Sequence, residues 1–324
     1  MNGIATTERK KRSRKAAFYA TEKPVISSNN EVVFNCQAVL PPCSITYLLD
    51  TNGSVEIGSS GRGDNFDGIQ DIELIKHEYQ PSKRYEIGIS QTIGKNDRMQ
   101  DTANVLGELF PNIDIIGIFD GHNGEEAARY CLISMKNEFN CLNPKDCEHQ
   151  LPQIFESIHN NISSQTISGT TASICIIRSD DVVLAHVGDS PIYFYENGHL
   201  TRMTQNHSAT FEKERIIASG GKVINIKGVD RVNGQINLSR SLGDKLLQPP
   251  LTYKPDISIH SLSMKYIVIV TDGVTDSLSF NRDSEMEIIL SQPLSPDQIA
   301  ATIRNNAFIN GSVDNISVIV IQII

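Results

Sequence analysis

The chain has 324 residues, 39% of them apolar and 21% charged, and a formal net charge of -9 at pH 7. That balance belongs to a globular protein with a core to bury, and it excludes a disordered or fibrous chain. An acidic body repels a phosphate backbone, which argues against nucleic acid as a partner and suits the binding of cations.

The chain opens on a basic run, Arg9, Lys10, Lys11, Arg12, Arg14 and Lys15, set against Glu8. Such a block reads as a solvated tail, and no role is assigned to it. The cysteines Cys36, Cys43, Cys131, Cys141, Cys147 and Cys175 form no C-x-x-C pair, and no apolar signal stretch precedes them. Reduced thiols and a cytoplasmic or nuclear location are therefore expected. No apolar run reaches membrane-spanning length, so no membrane span is expected. Residues 1–80 are expected to form a tail and short extension, in which VVFN and ITYLLD are strand candidates that could add to the edge of a domain spanning 81–324.

From Tyr85 onward, short β-rich runs follow one another: YEIGISQT, IDIIGIF, TASICII, VVLAHV, PIYFY, YIVIV and ISVIVIQI. Several are apolar on both faces, which points to sheets covered on both sides and to a layered αββα or α/β core. Between them, Ala128, Cys131, Leu132, Met135 and Phe139 recur at helical spacing, as do Leu151, Ile154, Phe155, Ile158 and Ile162. The two stripes predict antiparallel helices on one sheet face. FEKERIIAS predicts a helix closed by a left-handed residue at Gly220-Gly221. Ser295, Pro296 and Gln298 supply an N-cap, a Pro at N1 and a capping-box Gln, which predicts a helix to about Phe308.

Three aspartates sit at strand termini: Asp120 after IDIIGIF, Asp272 after YIVIVT, and Asp314 before ISVIVIQI. With the last strand antiparallel to the other two, all three would meet at one sheet end. Gathered carboxylates repel unless cations neutralise them, and all-oxygen ligation selects hard divalent ions. Taken singly, each D-G or D-N is an ordinary turn.

The ordered set says more. GKNDRMQD, FDGHNG, SGTTAS, VGDS, TQNH, EKERI with GG, RVNG with SRSLGD, TDGVTD and DNISVIVI resemble, in that order over about residues 82–324, the motifs of the protein phosphatase 2C (PPM-type) family. The resemblance implies an α+β fold, a four-layer αββα sandwich of two mostly antiparallel sheets flanked by helices. It implies a metal-dependent serine/threonine phosphatase acting on phosphoproteins as a monomeric catalytic domain, by direct attack of a hydroxide bridging two Mn²⁺ or Mg²⁺ ions. By the same resemblance Asp120 bridges the ions, the Gly121 carbonyl binds one of them, Asp272 and Asp314 hold the second, and His122 is the general acid. Asp189 and Asp276 fall at positions for a third, weaker ion, and Gln100 and Asp101 at positions around the pair.

The sequence departs from the family at four places. Gln100 stands where Glu is usual, Asn96 where an Arg grips substrate phosphate, Pro191 where GDSR has its Arg, and Asn206 where TQDH has its Asp. Gln100 brings no charge, so weaker affinity at one ion is expected. Lys95 and Arg98 are the candidates for the missing phosphate-binding cation. The alternative reading is a phosphatase-fold binding module without turnover; a hydrolase of small phosphoesters is a third.

Overall fold

The computed structural model describes residues 25–26, 32–33, 44–49, 55–58, 82–143, 146–277 and 282–324. The basic run lies outside them. The chain divides into two units, Met1–Val39 and Leu40–Ile324. In the first, β1 (Val25–Ile26) and β2 (Val32–Val33) form an antiparallel ladder, and β2 is the start of the run VVFN.

In the second unit, the run ITYLLD lies largely within β3 (Ser44–Leu49), which pairs on one side with β4 (Val55–Gly58) and on the other with β5 (Tyr85–Thr92). The sheet thus takes in strands from upstream of residue 81. Next come β6 (Asp101–Phe110) and β7 (Ile113–His122), then the two apolar stripes as α1 (Glu126–Phe139) and α2 (Cys147–Gln165). They are followed by β8 (Gly169–Thr170), β9 (Ala172–Ile177), β10 (Asp181–Val187), β11 (Ile192–Glu196) and β12 (His199–Arg202).

Helix α3 (Lys213–Ala218) ends as expected, with Gly220 at φ +83° and Gly221 N–H donating to the Ile216 carbonyl at 2.9 Å. A hairpin of β13 (Val223–Ile226) and β14 (Val229–Val232) leads to β15 (Leu242–Gly243), β16 (Asp256–Ser261) and β17 (Tyr266–Val270). After α4 (Asp272–Thr275) and α5 (Arg282–Leu290), Ser295 N–H donates to the Gln298 side chain at 3.1 Å and starts α6 (Pro296–Ile309); β18 (Ile316–Ile323) closes the chain.

Two seven-stranded sheets result. One runs β15-β8-β7-β9-β10-β16 with β6 on the other side of β7, and the second runs β12-β11-β17-β18-β5-β3-β4. Every strand pairing of the two is antiparallel. Residue parity sets the layers, because successive strand side chains point to opposite faces. Ile267, Ile269, Ile319 and Ile321 join Ile116, Ile118, Cys175 and Leu184 between the sheets. Their neighbours Val268, Val270, Val318 and Val320 pack instead on Met286, Ile289, Ile299 and Ile303 of α5 and α6. On the far side Ile115, Ile174 and Ile176 meet Cys131, Met135, Ile154 and Phe155 of α1 and α2. This is the expected αββα sandwich. Burying each such side chain contributes about 1.5–3 kcal/mol, so the β-branched runs hold both interfaces at once. Among the described residues no helix is long and apolar enough to cross a membrane.

Candidate metal and catalytic centre

The terminal aspartates do meet, but not on one sheet as their order suggested. Asp120 lies on β7 in the first sheet, whereas Asp272 follows β17 and Asp314 precedes β18 in the second. The sandwich brings them together across the gap between the sheets. Glycines permit close packing at the second sheet's own end. A Cβ on Gly273 would sit 1.8 Å from the Asn315 carbonyl oxygen, and one on Gly94 2.1 Å from that of Asp314.

Asp101 is the register partner of Asp120 across β6 and β7 and is 2% exposed. Its Oδ2 accepts from Thr271 Oγ1 at 3.0 Å and from Ser317 Oγ at 2.8 Å, both from the second sheet's strands or their ends. The Asp120 backbone is fixed on three sides: its N–H donates to Thr171 Oγ1 at 3.1 Å, and its carbonyl accepts from Thr171 N–H at 2.9 Å and Thr170 Oγ1 at 3.0 Å. Asp189 is aimed by its neighbours. Gly188, at φ +105°, donates its N–H to His207 Nδ1 at 3.0 Å and accepts the His207 N–H at its carbonyl at 2.8 Å, and Ser190 Oγ lies 2.7 Å from Thr171 Oγ1.

The electrostatics of the cluster follow from burial and like charge. Burial, with the charges of Asp101, Asp272, Asp189 and Asp314, pushes the Asp120 carboxyl well above its ordinary range. Asp272 is pushed up by burial and by Asp189, Asp314 and Asp276, with a hydrogen bond from Asp120 pulling the other way. Asp101 is raised to about 7 by burial first, and Asp189 to about 7 by burial and Asp276. Two carboxylates about 4 Å apart repel by roughly 4 kcal/mol at an effective dielectric near 20, so such a set calls for cations. Among the described residues no three acidic, His or Cys side chains close into a finished cage. The donor set fits hard divalent ions.

Asp314 is exposed, and its Oδ1 accepts from Asn96 Nδ2 at 2.6 Å and from Asn315 N–H at 2.7 Å. Asn96 is thus engaged with the carboxylate. Gln100 presents its carbonyl to Gly121 N–H at 3.1 Å, and its own N–H donates to Asn315 Oδ1 at 2.8 Å. Lys95 holds its ammonium over the Phe308 ring, 6.0 Å from the centroid, so that charge is turned to α6. Arg98 is exposed, and its carbonyl accepts from Asn315 Nδ2 at 2.9 Å. A cation that does act on the cluster is Arg202, which draws Asp189 down and which sequence reasoning passed over. His122 Nε2 lies within hydrogen-bond distance of Asp244 Oδ2, at 2.6 Å. Asp244 was also passed over, although it ends the SRSLGD motif. Its partner lies 122 positions earlier, and no local pattern links the two.

Two antiparallel sheets packed between helices, with aspartates from both sheets gathered at one end, make an αββα sandwich with an acidic centre. The model of the protein phosphatase 2C family matches residues 86–316, and the chain belongs to that family. Protein phosphatase 2C homolog 1 of Saccharomyces cerevisiae is 27% identical over 271 residues, covering 73% of this chain and 93% of the relative. Probable protein phosphatase 2C 11 of Arabidopsis thaliana is 28% identical over 305 residues, covering 87% and 77%. Among solved structures, a C. elegans sex determining protein superposes with a TM-score of 0.66 at 25% identity, covering 79% of this chain and 71% of that one. The serine-threonine phosphatase 2C of Toxoplasma gondii, at 18% identity and TM-score 0.62 over 76% and 97%, shares the fold.

Proposed function

We propose that this protein hydrolyses phosphoserine and phosphothreonine monoesters on proteins, with Mn²⁺ or Mg²⁺ at the carboxylate cluster. The observation that carries the reading is the cluster itself: Asp101, Asp120, Asp189 and Asp272 are all pushed above their ordinary range by burial and mutual charge. Asp120, the Gly121 carbonyl, Asp272 and Asp314 would hold two ions, and Asp189 with Asp276 a weaker third. Bound there, divalent ions supply charge neutralisation for the phosphoryl oxygens and lower the pKa of the attacking water.

The chain's own residues do the rest. Asp101 ties the two sheets and keeps Asp120 facing Asp272. His122, 24% exposed at its side chain, gives a proton to the departing serine or threonine oxygen. Asn96 holds Asp314 in place, and Arg98 remains on the exposed loop for phosphate. Every aspartate expected at the centre is present, so nothing favours the binding-module alternative.

The test is phosphate release from a phosphoserine or phosphothreonine peptide, with Mn²⁺ or Mg²⁺ against EDTA, on wild type and Asp272→Asn. Release should require the ion and the aspartate; equal rates in all conditions would overturn the reading.

A further inference from the structure

We infer that Asp244 is a positioning residue for His122, fixing the ring orientation and leaving Nδ1 as the nitrogen from which the proton is delivered. The inference rests on the proposed phosphatase reading, in which His122 protonates the leaving oxygen.

Three strands build the pair. His122 on β7 is the register partner of Gly169 on β8, and Gly169 is the partner of Gly243 on β15, so Asp244 follows directly at the end of the row. A Cβ on Gly169 would fall 2.1 Å from Asp244 Oδ2 and 2.4 Å from His122 Nε2. The bare glycine therefore makes room for the contact between these two side chains. Gly243, at φ +81°, would press a Cβ to 2.3 Å from the Ser168 carbonyl oxygen. Asp244 itself holds φ at +49°, a left-handed conformation that few residues with a side chain adopt.

That conformation delivers a carboxylate that is 4% exposed onto Nε2 of the ring. Ser241 Oγ donates to the same Oδ2 at 2.6 Å, and Asp244 N–H donates to the Ser168 carbonyl at 3.1 Å, so the acceptor is held on both its side chain and its backbone. A carboxylate only accepts when ionised, so it requires the hydrogen on Nε2. Nδ1, which has no hydrogen-bond partner among the described residues, is left as the nitrogen that serves the substrate. A buried acid that orients an imidazole in this way acts through the ring and touches no reacting atom.

The step balances as follows. The bond from phosphorus to the serine or threonine oxygen breaks, and that oxygen keeps the bonding pair and takes the proton from Nδ1. The oxygen of water bonds to phosphorus, and its proton passes to solvent. His122 is left neutral with Nε2–H on Asp244, and solvent reprotonates Nδ1.

The experiment compares two leaving groups on the metal-loaded enzyme. An alkoxide needs the proton, whereas p-nitrophenolate leaves without it. Asp244→Asn should lower kcat on a phosphoserine peptide by about 100-fold and on p-nitrophenyl phosphate by less than about threefold, with His122→Gln showing the same split. Ser241→Ala should show the split in milder form, which covers an Asp244 variant that folds poorly. In the metal-free protein, long-range ¹H–¹⁵N spectra should show His122 as the Nε2–H tautomer, and as a mixture in Asp244→Asn. Equal slowing of both substrates by Asp244→Asn and Ser241→Ala, while His122→Gln still splits them, would overturn the role of Asp244. Absence of the split in His122→Gln would overturn the general-acid reading, and this inference with it.

Discussion

Asp101 and Asp120 stand opposite each other as register partners on β6 and β7, and the charge of Asp101 is, after burial, the largest influence raising the Asp120 carboxyl. A carboxyl whose folded pKa is raised contributes stability that is fully present below its unfolded pKa and is lost as pH rises through the folded value. For Asp101 and Asp189 that window runs from the ordinary value of 3.8 to about 7. In EDTA, the contribution of these groups should therefore fall from about pH 4 to about pH 7. Saturating Mn²⁺ should restore the loss. Thermal melts at several pH values should show a Mn²⁺-induced rise in Tm that grows between pH 5 and pH 7.5; a rise independent of pH would contradict the origin assigned to these shifts.

Asp272→Asn removes one of the mutually repelling charges. Without metal, the variant should melt as high as wild type or a few degrees higher, because the repulsion it relieves is destabilising there. With Mn²⁺ it should lose most of the metal-induced rise and at least about 100-fold in phosphate release. A simple packing defect would lower Tm in both conditions.

Gln100 is half-buried and supplies its backbone to Gly121 and Asn315, next to Asp120 and Asp314 in the chain. Gln100→Glu keeps the shape and adds a negative charge. The Mn²⁺ concentration for half-maximal rate should drop, by about tenfold, a size typical of groups surrounding metal ligands. An unchanged metal titration would make Gln100 a neutral replacement.

Arg304 on α6 is 1% exposed, and Nη1 donates to the Ile45 carbonyl, Thr46 Oγ1 and, at 3.5 Å, the Gln91 carbonyl. It fastens β3 to the sheet and the helix together. Arg304→Met should cost at least about 2 kcal/mol in urea unfolding, because buried acceptors lose their donor. Thr46→Val should cost less, since it removes one acceptor and leaves the cation its carbonyls.

The strands that carry Asp120, Asp272 and Asp314 were legible because their β-branched runs are buried on both faces. Strand β6 was not, because its Thr102 and Asn104 break the apolar pattern. Their side chains donate to the Ala128 and Leu132 carbonyls of α1, at 3.0 and 2.6 Å, an accommodation that lies 26 and 28 positions away. The assignment of the aspartates to different sheets was hidden for the same reason, since pairing partners are chosen by the whole fold. Local chemistry was more readable. The Ser295 capping arrangement and the Gly220 helix end depend only on neighbours in sequence. Lys95, a phosphate candidate by its charge, has its ammonium 6.0 Å from the Phe308 ring centroid, a contact with a residue far along the chain that no local pattern announces.

Thr271 and Ser317 reach from one sheet to the carboxylate of Asp101 on the other. That crossing makes the centre a fastening for the sandwich as well as a place of reaction. Were Asp120 and Asp272 to hold cations as proposed, the charge those ions neutralise would add to this fastening, and withdrawing them would lower the mechanical load the protein bears before its sheets part.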